Sequence, residues 1–367
     1  TNITNGMMIG YSGIDKICMA CYSFCFYLFK LIIPANLCSI YVYPPKDGGS
    51  LPWEYYASVA VVLLLLFAAY KIRKDKLALF SILLFAVTIS INIQLIPSRN
   101  FITADRYAYF PFIGLFILIA SKCKIIFKEY QFRKYRIVVV AVSAVFLIFD
   151  LVQIKGREPV WQNDYNMMTD IIEKNPEVPY ISRAYGNRGI DYSKKGEHQL
   201  AADDFTQALR IKPDDAQTYY NRGFEFLQMN QLQMARKDFD SAIIYEPRQA
   251  VIYARRAIVF YRLSDNRQAL RDCNTALNID SSMYDVYNLR AALFYNTKQY
   301  DSCLFDLNKS IQIKPDFSDA YLNRGLLHQQ ANRRDDACSD FLKASGMGNP
   351  RAKEQLRANC PQVPVLQ

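Results

Sequence analysis

The second half of the chain repeats itself every 34 residues, and this period restricts the possible folds more than any other feature. In each of five copies a tyrosine is followed three residues later by an arginine. The tyrosines are Tyr185, Tyr219, Tyr253, Tyr287 and Tyr321, and the arginines are Arg188, Arg222, Arg256, Arg290 and Arg324. A fixed period of about 20–50 residues is typical of solenoids and other repeat proteins. The period therefore predicts a stack of five similar units.

Each unit also contains small residues at fixed positions and a helix-breaking proline. The residue after each arginine is a glycine or an alanine, and alanines such as Ala235 and Ala242 recur later in the unit. Pro213, Pro247 and Pro315 follow the second apolar run of their units. Small residues allow two helices to approach closely, and proline cannot continue a helix. Each unit is therefore predicted to be a helix pair.

These positions resemble the pattern of the tetratricopeptide repeat (TPR), with its ordered aromatic, glycine, alanine and proline positions. The resemblance implies five repeats over residues 182–349 that stack into a right-handed superhelix with a concave groove. A connecting helix is expected in residues 157–181, and a capping helix and tail in residues 350–367. Residues 1–156 form the domain before the repeats. The predicted fold class is all-α, a multi-span transmembrane helical domain followed by a five-repeat TPR solenoid.

Most periodic residues are interpreted as architecture. The tyrosines and alanines are predicted to lie in the core. An aspartate also keeps the period, and we interpret the arginines and aspartates as ion pairs within each repeat rather than as ligand contacts. These aspartates are Asp204, Asp238, Asp272, Asp306 and Asp340.

The candidate peptide-binding positions lie in the first helix of each repeat, on the face turned into the groove. Asn187, Asn221 and Asn323 share one position, which Arg255 and Leu289 occupy in the other two copies. An amide side chain both donates and accepts hydrogen bonds, so a row of amides can hold an extended peptide backbone. The row resembles the asparagine ladder of the TPR domains of O-GlcNAc transferases. The alternative is that asparagine is simply a common surface residue of such repeats.

The first part of the chain contains long apolar runs of the kind that span membranes. A span needs about 20 predominantly apolar residues, and four to five segments are predicted to be spans. The weakest candidate is the first in the chain, 17–33, which contains Lys30 and is followed by Pro34, so it is a span or an interfacial segment. The other four are 53–70, 77–96, 109–127 and 137–154.

The orientation follows from the basic residues of the short loops, because Lys and Arg accumulate on the cytoplasmic side. Ten of them lie in the segments 71–76 and 122–136, whereas the opposite loops, 35–52 and 97–108, contain three. The repeats are therefore predicted to lie outside the cytoplasm, in a periplasm or an organelle lumen. Residues 1–156 contain 16 Lys/Arg and 7 Asp/Glu, against 23 and 21 in residues 182–349. The repeats thus lack the basic excess of a nucleic-acid-binding surface, and no nucleic-acid partner is expected.

The loop before the span 109–127 contains charged residues that a simple anchor does not need. Arg99, Asp105 and Arg106 lie beside Tyr109 in this loop. Arginine suits bidentate phosphate recognition, and charges near a membrane often mark a substrate path. The four residues are candidates for binding a carrier phosphate. The alternative is an interfacial loop whose Arg and Tyr side chains lie at head-group level.

The order of segments resembles the transmembrane-and-TPR glycosyltransferases of the GT-C superfamily, which include protein O-mannosyltransferase-like enzymes. The resemblance rests on the segments 31–43 and 104–114, on Trp161, and on Asn175-Pro176 before the repeats. It implies transfer of a sugar from a polyprenyl-phosphate carrier to protein, with the groove binding the acceptor. The family's catalytic carboxylates lie in its first extracytoplasmic loop, and here Asp47 stands alone. We expect a fragment or processed chain whose catalytic residues are absent.

Two hypotheses follow from these patterns. The first is part of a lipid-linked sugar transferase, and the second is a non-catalytic membrane-tethered scaffold for an envelope or polysaccharide-assembly complex. No cofactor or metal site is predicted, because the two histidines and nine cysteines form no ligand cluster. The irregular spacing of Cys273, Cys303, Cys338 and Cys360 leads us to expect no disulfide framework.

Overall fold

The structure is a computed structural model of the 367-residue chain. It describes residues 11–33, 49–90, 109–128, 134–174 and 181–360. Seventeen α-helices make up these ranges almost entirely, so the all-α prediction is confirmed for the described residues. The chain divides into two compact units, Thr1–Arg188 and Gly189–Gln367.

The described part of the first unit contains six helices and the start of a seventh. These are α1 (Gly13–Ile32), α2 (Trp53–Lys71), α3 (Lys76–Ser90), α4 (Tyr109–Lys128), α5 (Tyr135–Trp161), α6 (Asp164–Lys174) and α7 (Ile181–Lys194). Helix α1 packs on α2, where the rings of Tyr22 and Tyr55 stack with centroids 4.1 Å apart. Ser58 donates a hydrogen bond of 3.4 Å to the carbonyl oxygen of Cys18 across the same contact.

Helices α3 and α4 form a close pair that depends on one glycine. A Cβ atom added at Gly114 would lie 2.6 Å from the carbonyl oxygen of Ser81 and 2.8 Å from the amide nitrogen of Phe85. Only glycine lets the two backbones approach this closely. Near the other end of the pair, Lys122 forms an ion pair of 2.6 Å with Asp75. This contact joins the segment before α3 to the last turns of α4.

Two of the described helices, α2 and α5, are long and apolar enough to cross a membrane. The prediction of four to five spans is therefore met by two helices among the described residues. Helix α3 is apolar but has 15 described residues, and part of the predicted span 77–96 lies outside the described residues. Helix α5 has 27 residues and is about 40 Å long. None of the described residues in its most apolar 18-residue stretch is buried.

The contact between α5 and α6 centres on a half-buried ion-pair cluster. Arg157 donates hydrogen bonds of 2.5 and 3.0 Å to the two carboxylate oxygens of Asp170, and Lys174 lies 2.6 Å from the first of them. Burial alone raises the pKa of Asp170, but the hydrogen bonds from Arg157 and Lys174 outweigh it and lower the pKa. The carboxylate therefore stays ionised and holds the two helices together.

Residues 181–360 form the five predicted helix pairs and one further helix. Helix α7 begins the first pair, and the pairs continue with α8 (His198–Ile211), α9 (Ala216–Gln228), α10 (Leu232–Tyr245), α11 (Ala250–Arg262), α12 (Asn266–Ile279), α13 (Tyr284–Asn296), α14 (Tyr300–Ile313), α15 (Ser318–Gln330) and α16 (Arg334–Gly346). Helix α17 (Pro350–Asn359) packs on α16. The solenoid-like repeats predicted from the period are confirmed.

In four of the five pairs the two helices meet at positions 16 residues apart whose sizes match. Where the first helix has glycine, the second has phenylalanine, as in Gly223 with Phe239 and Gly325 with Phe341. Where the first helix has Ala291, the second has the smaller Leu307, and both are buried in one cluster. In these pairs the combined size is nearly constant, as close packing requires, whereas the third pair has Ala257 with the smaller Cys273.

The turn between the two helices of a pair also repeats. One residue in each turn has a positive φ between 57° and 77°: Gly196, Asn230, Ser264, Lys298 and Asn332. The amide after it donates to a carbonyl oxygen five residues back, for example Gln299 N to Phe294 O at 2.9 Å. This is the Schellman arrangement that ends many helices. Glycine and asparagine suit it, whereas serine and lysine do not.

The expectation of no disulfide framework is wrong for one pair, because Cys338 of α16 is bonded to Cys360 after α17. Their Cα atoms lie 5.8 Å apart, within the usual range for a disulfide. Helix α17 folds back on α16 and buries Leu356 in the same cluster as Phe341. This packing brings together two cysteines that are 22 residues apart in the sequence.

Candidate functional site

The candidate peptide-binding positions of the second unit lie on the first helices of successive pairs. Helix α9 contacts α11, α11 contacts α13, and α13 contacts α15. We call the surface along these contacts the first-helix face; it includes Asn221 of α9, Arg255 of α11, Leu289 of α13 and Asn323 of α15. All four side chains are half-buried.

Asn221 and Asn323 each use only one of the two polar atoms of their amide group in a hydrogen bond. Asn323 Nδ2 donates to Asn288 Oδ1 of the preceding first helix at 2.8 Å. Asn221 Oδ1 accepts from Gln217 Nε2 at 2.9 Å. Among the described residues, Asn221 Nδ2 and Asn323 Oδ1 have no partner. The face therefore presents both a donor and an acceptor to a bound backbone.

Arg255 lies in the same row without a hydrogen bond to any described residue. Its Nε is buried and unpaired, and its guanidinium carbon lies 5.9 Å from the ring centroid of Phe224 on α9. The neighbouring Arg256 is the opposite case. It donates to both carboxylate oxygens of Asp272 at 2.7 and 2.8 Å, and to Asp240 at 2.7 Å.

The periodic arginines and aspartates are architecture, as predicted. Arg290 donates to both oxygens of Asp306 at 2.7 and 2.8 Å and to Asn274 of the preceding repeat at 2.7 Å. The hydrogen bond to Asp306 raises the pKa of Arg290, so the guanidinium stays charged. The same bidentate pairing joins Arg222 to Asp238, Arg256 to Asp272 and Arg324 to Asp340. Each of these four arginines also donates to a side chain of the preceding repeat, and so links two consecutive repeats.

The periodic tyrosines are less buried than predicted. Of the five, only Tyr321 is buried, and the other four are half-buried. In every copy the arginine three residues later lies over the tyrosine ring, at 5.4–5.7 Å from its centroid. The tyrosines thus cover the ion pairs rather than fill the core.

Asn187, the first member of the row, lies in the first unit. It is exposed, and its amide nitrogen lies 4.0 Å from the sulfur of Met168 on α6. A binding row that starts at Asn187 therefore stays a prediction for this position.

The carrier-phosphate candidates are not tested by the structure. Arg99, Asp105 and Arg106 lie outside the described residues, and Tyr109 is the first residue of α4 with a side chain outside them. In the resembling segment 104–114 the structure describes the packing of Gly114, whose contact with α3 gives this residue a structural role.

The sequence analysis missed a buried polar cluster between the first two repeats. Glu225 is 1% exposed, and its two carboxylate oxygens bind Ser193 Oγ and His198 Nδ1, both at 2.6 Å. The equivalent positions in the next two repeats are the buried Val259 and Leu293. A glutamate at an otherwise apolar position was the signal that could have revealed the cluster.

The family comparison identifies the repeats. The tetratricopeptide repeat model matches residues 182–215 and residues 284–317. Together with the five helix pairs, these matches show that the chain contains tetratricopeptide repeats, which are typical protein-interaction modules. The comparison with curated proteins found no match.

Several solved structures are similar to this chain. The structure of YrrB, described as a TPR protein with an unusual peptide-binding site, is 19% identical, with a TM-score of 0.43 over 52% of this chain and 97% of that chain. MamA from Desulfovibrio magneticus RS-1 is 16% identical, with a TM-score of 0.43 over 46% and 94%. PilW, described as a widely conserved type IV pilus biogenesis factor, is 18% identical, with a TM-score of 0.43 over 50% and 95%. Similarity this low does not indicate a function.

Proposed function

We propose that this chain is a membrane-anchored scaffold whose repeats bind an extended segment of a partner protein along the first-helix face. The observation that carries the proposal is the row of half-buried polar side chains with unused hydrogen-bonding groups, in particular Asn221 Nδ2 and Asn323 Oδ1. An extended backbone offers the complementary donors and acceptors. Because amides read the backbone rather than the side chains, such a row accepts many sequences.

Peptide selection followed by binding measurements tests this function. Phage-displayed twelve-residue peptides are selected on the full chain in detergent, and a selected peptide is synthesised with a fluorescent dye. We expect the double variant Asn221→Ala/Asn323→Ala to weaken binding about tenfold, since two hydrogen bonds of about 0.5–1.5 kcal/mol each are lost. Asn278→Ala is the matched control, because Asn278 is exposed on the second helix α12. No selected peptide, or equal affinity for the double variant, would contradict the proposal.

Membrane anchoring is supported by the exposure of α5. Its apolar side chains lie on the surface of the described structure, with Val142 63% and Val145 68% exposed. A soluble domain seldom leaves so large an apolar surface uncovered. The helix is also longer than the roughly 30 Å of hydrocarbon that it would cross.

An extracytoplasmic position of the repeats is supported by two observations. The ion pair between Lys122 and Asp75 brings the basic residues of 71–76 and of the last turns of α4, 122–128, to one end of the α3–α4 pair, and the positive-inside rule assigns such an end to the cytoplasmic side. The disulfide between Cys338 and Cys360 suits an oxidising compartment, because such bonds are rare in the cytosol.

Part of a GT-C glycosyltransferase is the second candidate function. It is favoured by the packing of Gly114, since the glycine that ends the resembling segment 104–114 is required by the α3–α4 contact. In this proposal Arg99, Asp105, Arg106 and Tyr109 bind the phosphate of a polyprenyl-linked sugar, and the repeats present the acceptor protein.

The test is transfer of sugar from a polyprenyl-phosphate carrier, measured with the native full-length protein. Arginine binds two phosphate oxygens at once, whereas lysine is a point charge. Arg106→Lys should therefore be nearly as impaired as Arg106→Ala, by more than tenfold. Unchanged transfer in Arg106→Ala would remove this role and leave the scaffold function.

A further inference from the structure

Arg255 differs from every periodic arginine of the second unit in having no anionic partner. Its neighbour Arg256 binds two carboxylates, whereas Arg255 has no ion pair among the described residues and keeps a buried, unpaired Nε. A guanidinium carries five N–H donors. Leaving a buried donor unpaired costs free energy, so the arrangement gains stability when a ligand supplies the acceptor.

The surroundings of Arg255 are basic. Helix α11 contains no acidic residue, and Arg262 lies seven residues further on, on the same side of this helix. Helix α9 contains one carboxylate, Glu225, which is buried and bonded to Ser193 and His198. The nearest other first-helix acids of the second unit are Asp191 on α7, two repeats before Arg255 and 3.5 Å from Lys194, and Asp285 on α13 in the next repeat.

We propose that Arg255 is a specificity-determining residue that binds an acidic side chain, Asp or Glu, in the middle of the extended peptide on the first-helix face. The inference rests on the proposed peptide-binding function and deepens it. Asn221 and Asn323 hold the backbone without reading its sequence, and Arg255 selects for charge at one point. The partner is therefore an extended protein segment with an internal acidic residue.

The geometry favours a carboxylate over other acceptors. The guanidinium fork matches the two oxygens of a carboxylate, and such charge-assisted bonds are stronger than neutral ones. The ring of Phe224, 5.9 Å from the guanidinium carbon, shields one face of the group from water and limits its motion. These factors predict a preference of about tenfold for Glu over Gln at the matching peptide position.

Binding of a matched peptide pair to the full chain in detergent tests the inference. Both probes are twelve-residue Ser/Thr/Val peptides with acetylated and amidated ends and a neutral dye, so the central residue, Glu or Gln, carries the only charge difference. At low salt, the wild type should bind the Glu peptide about tenfold more tightly, and Arg255→Gln should bind both peptides within twofold of each other. Arg271→Gln on the outer helix α12 removes the same charge at an exposed position and should keep the preference.

The outcomes separate this inference from the proposed function. If both peptides bind equally to the wild type, and Asn221→Ala weakens both, the first-helix face binds peptide and the role proposed for Arg255 is wrong. If Arg271→Gln abolishes the preference as fully as Arg255→Gln, the selectivity comes from net charge and the site is wrong. If neither peptide binds, both proposals are contradicted.

Discussion

The size match between paired helices makes a strong prediction for Gly325. A methyl group added there would lie 2.6 and 2.8 Å from two ring carbons of Phe341 and 3.3 Å from the carbonyl oxygen of Ala337. Carbon atoms in van der Waals contact are about 3.5–4.0 Å apart, so the ring must move by about 1 Å. Phe341 is 0% exposed and has little room to do so.

The magnitude follows from two opposed effects. Overpacking a filled core costs about 1–3 kcal/mol, while replacing a mid-helix glycine by alanine gains about 1 kcal/mol of helix propensity. Because the clashing ring is fully buried, we take the upper part of the first range and expect Gly325→Ala to lose about 1–2 kcal/mol. Phe341→Leu alone leaves a cavity and should cost about 1–2 kcal/mol. The double variant reproduces the natural pair of Ala291 with Leu307 and should recover at least about 1 kcal/mol of the summed losses.

The assay is pulse proteolysis of the full chain in detergent across a urea gradient, which reports the fraction of unfolded repeats at each concentration. Gly186→Ala is the matched control, because an added Cβ there would meet no atom within 4 Å. It should leave stability unchanged or raise it by up to about 1 kcal/mol. The reasoning is refuted if Gly325→Ala is as stable as Gly186→Ala, or if the effects of the two single substitutions simply add in the double variant.

Three further predictions concern the repeats. Lys298→Gly should stabilise them by about 1 kcal/mol by relieving a positive φ, and Asn230→Gly by less than half of that, both measured by urea denaturation. Asp306→Ala should cost about 3–5 kcal/mol of stability by leaving Arg290 half-buried and without its carboxylate. The double variant Asp306→Leu/Arg290→Met should recover much of this loss, and a double variant as unstable as Asp306→Ala would argue against the ion pair. Burial lowers the pKa of His328 below its usual value of about 6.5. The unfolded chain therefore binds more protons, so stability should fall as the pH drops below about 6.5, and His328→Phe should remove this fall in melts from pH 7 to 5; an unchanged slope would contradict it.

The period allowed the helix pairs to be predicted because each core position recurs in five copies. It also identified the close approach at residues such as Gly325 and the ion pairs such as that of Arg290 with Asp306. It did not reveal the positive φ at Ser264 and Lys298, because neither residue type favours that conformation. The glycine at the same position of the first repeat, Gly196, was the available signal.

Contacts outside the period were harder to predict. The disulfide between Cys338 and Cys360 depends on α17 folding back on α16, and sequence spacing does not reveal such packing. The cluster of Glu225, Ser193 and His198 occurs once and so leaves no periodic signal. The candidate Arg255 was identified by its position, but its lack of a partner is visible only in the structure.

The central claim, that a membrane anchor holds peptide-binding repeats outside the cytoplasm, is tested most directly by cysteine labelling in intact cells. Single cysteines are placed at Lys74, within the first basic segment, and at Lys237, exposed on α10, in a chain whose native cysteines are replaced by serine. A membrane-impermeant maleimide should label Lys237→Cys in intact cells and Lys74→Cys only after permeabilisation. Labelling of Lys74→Cys with protection of Lys237→Cys would contradict the claim.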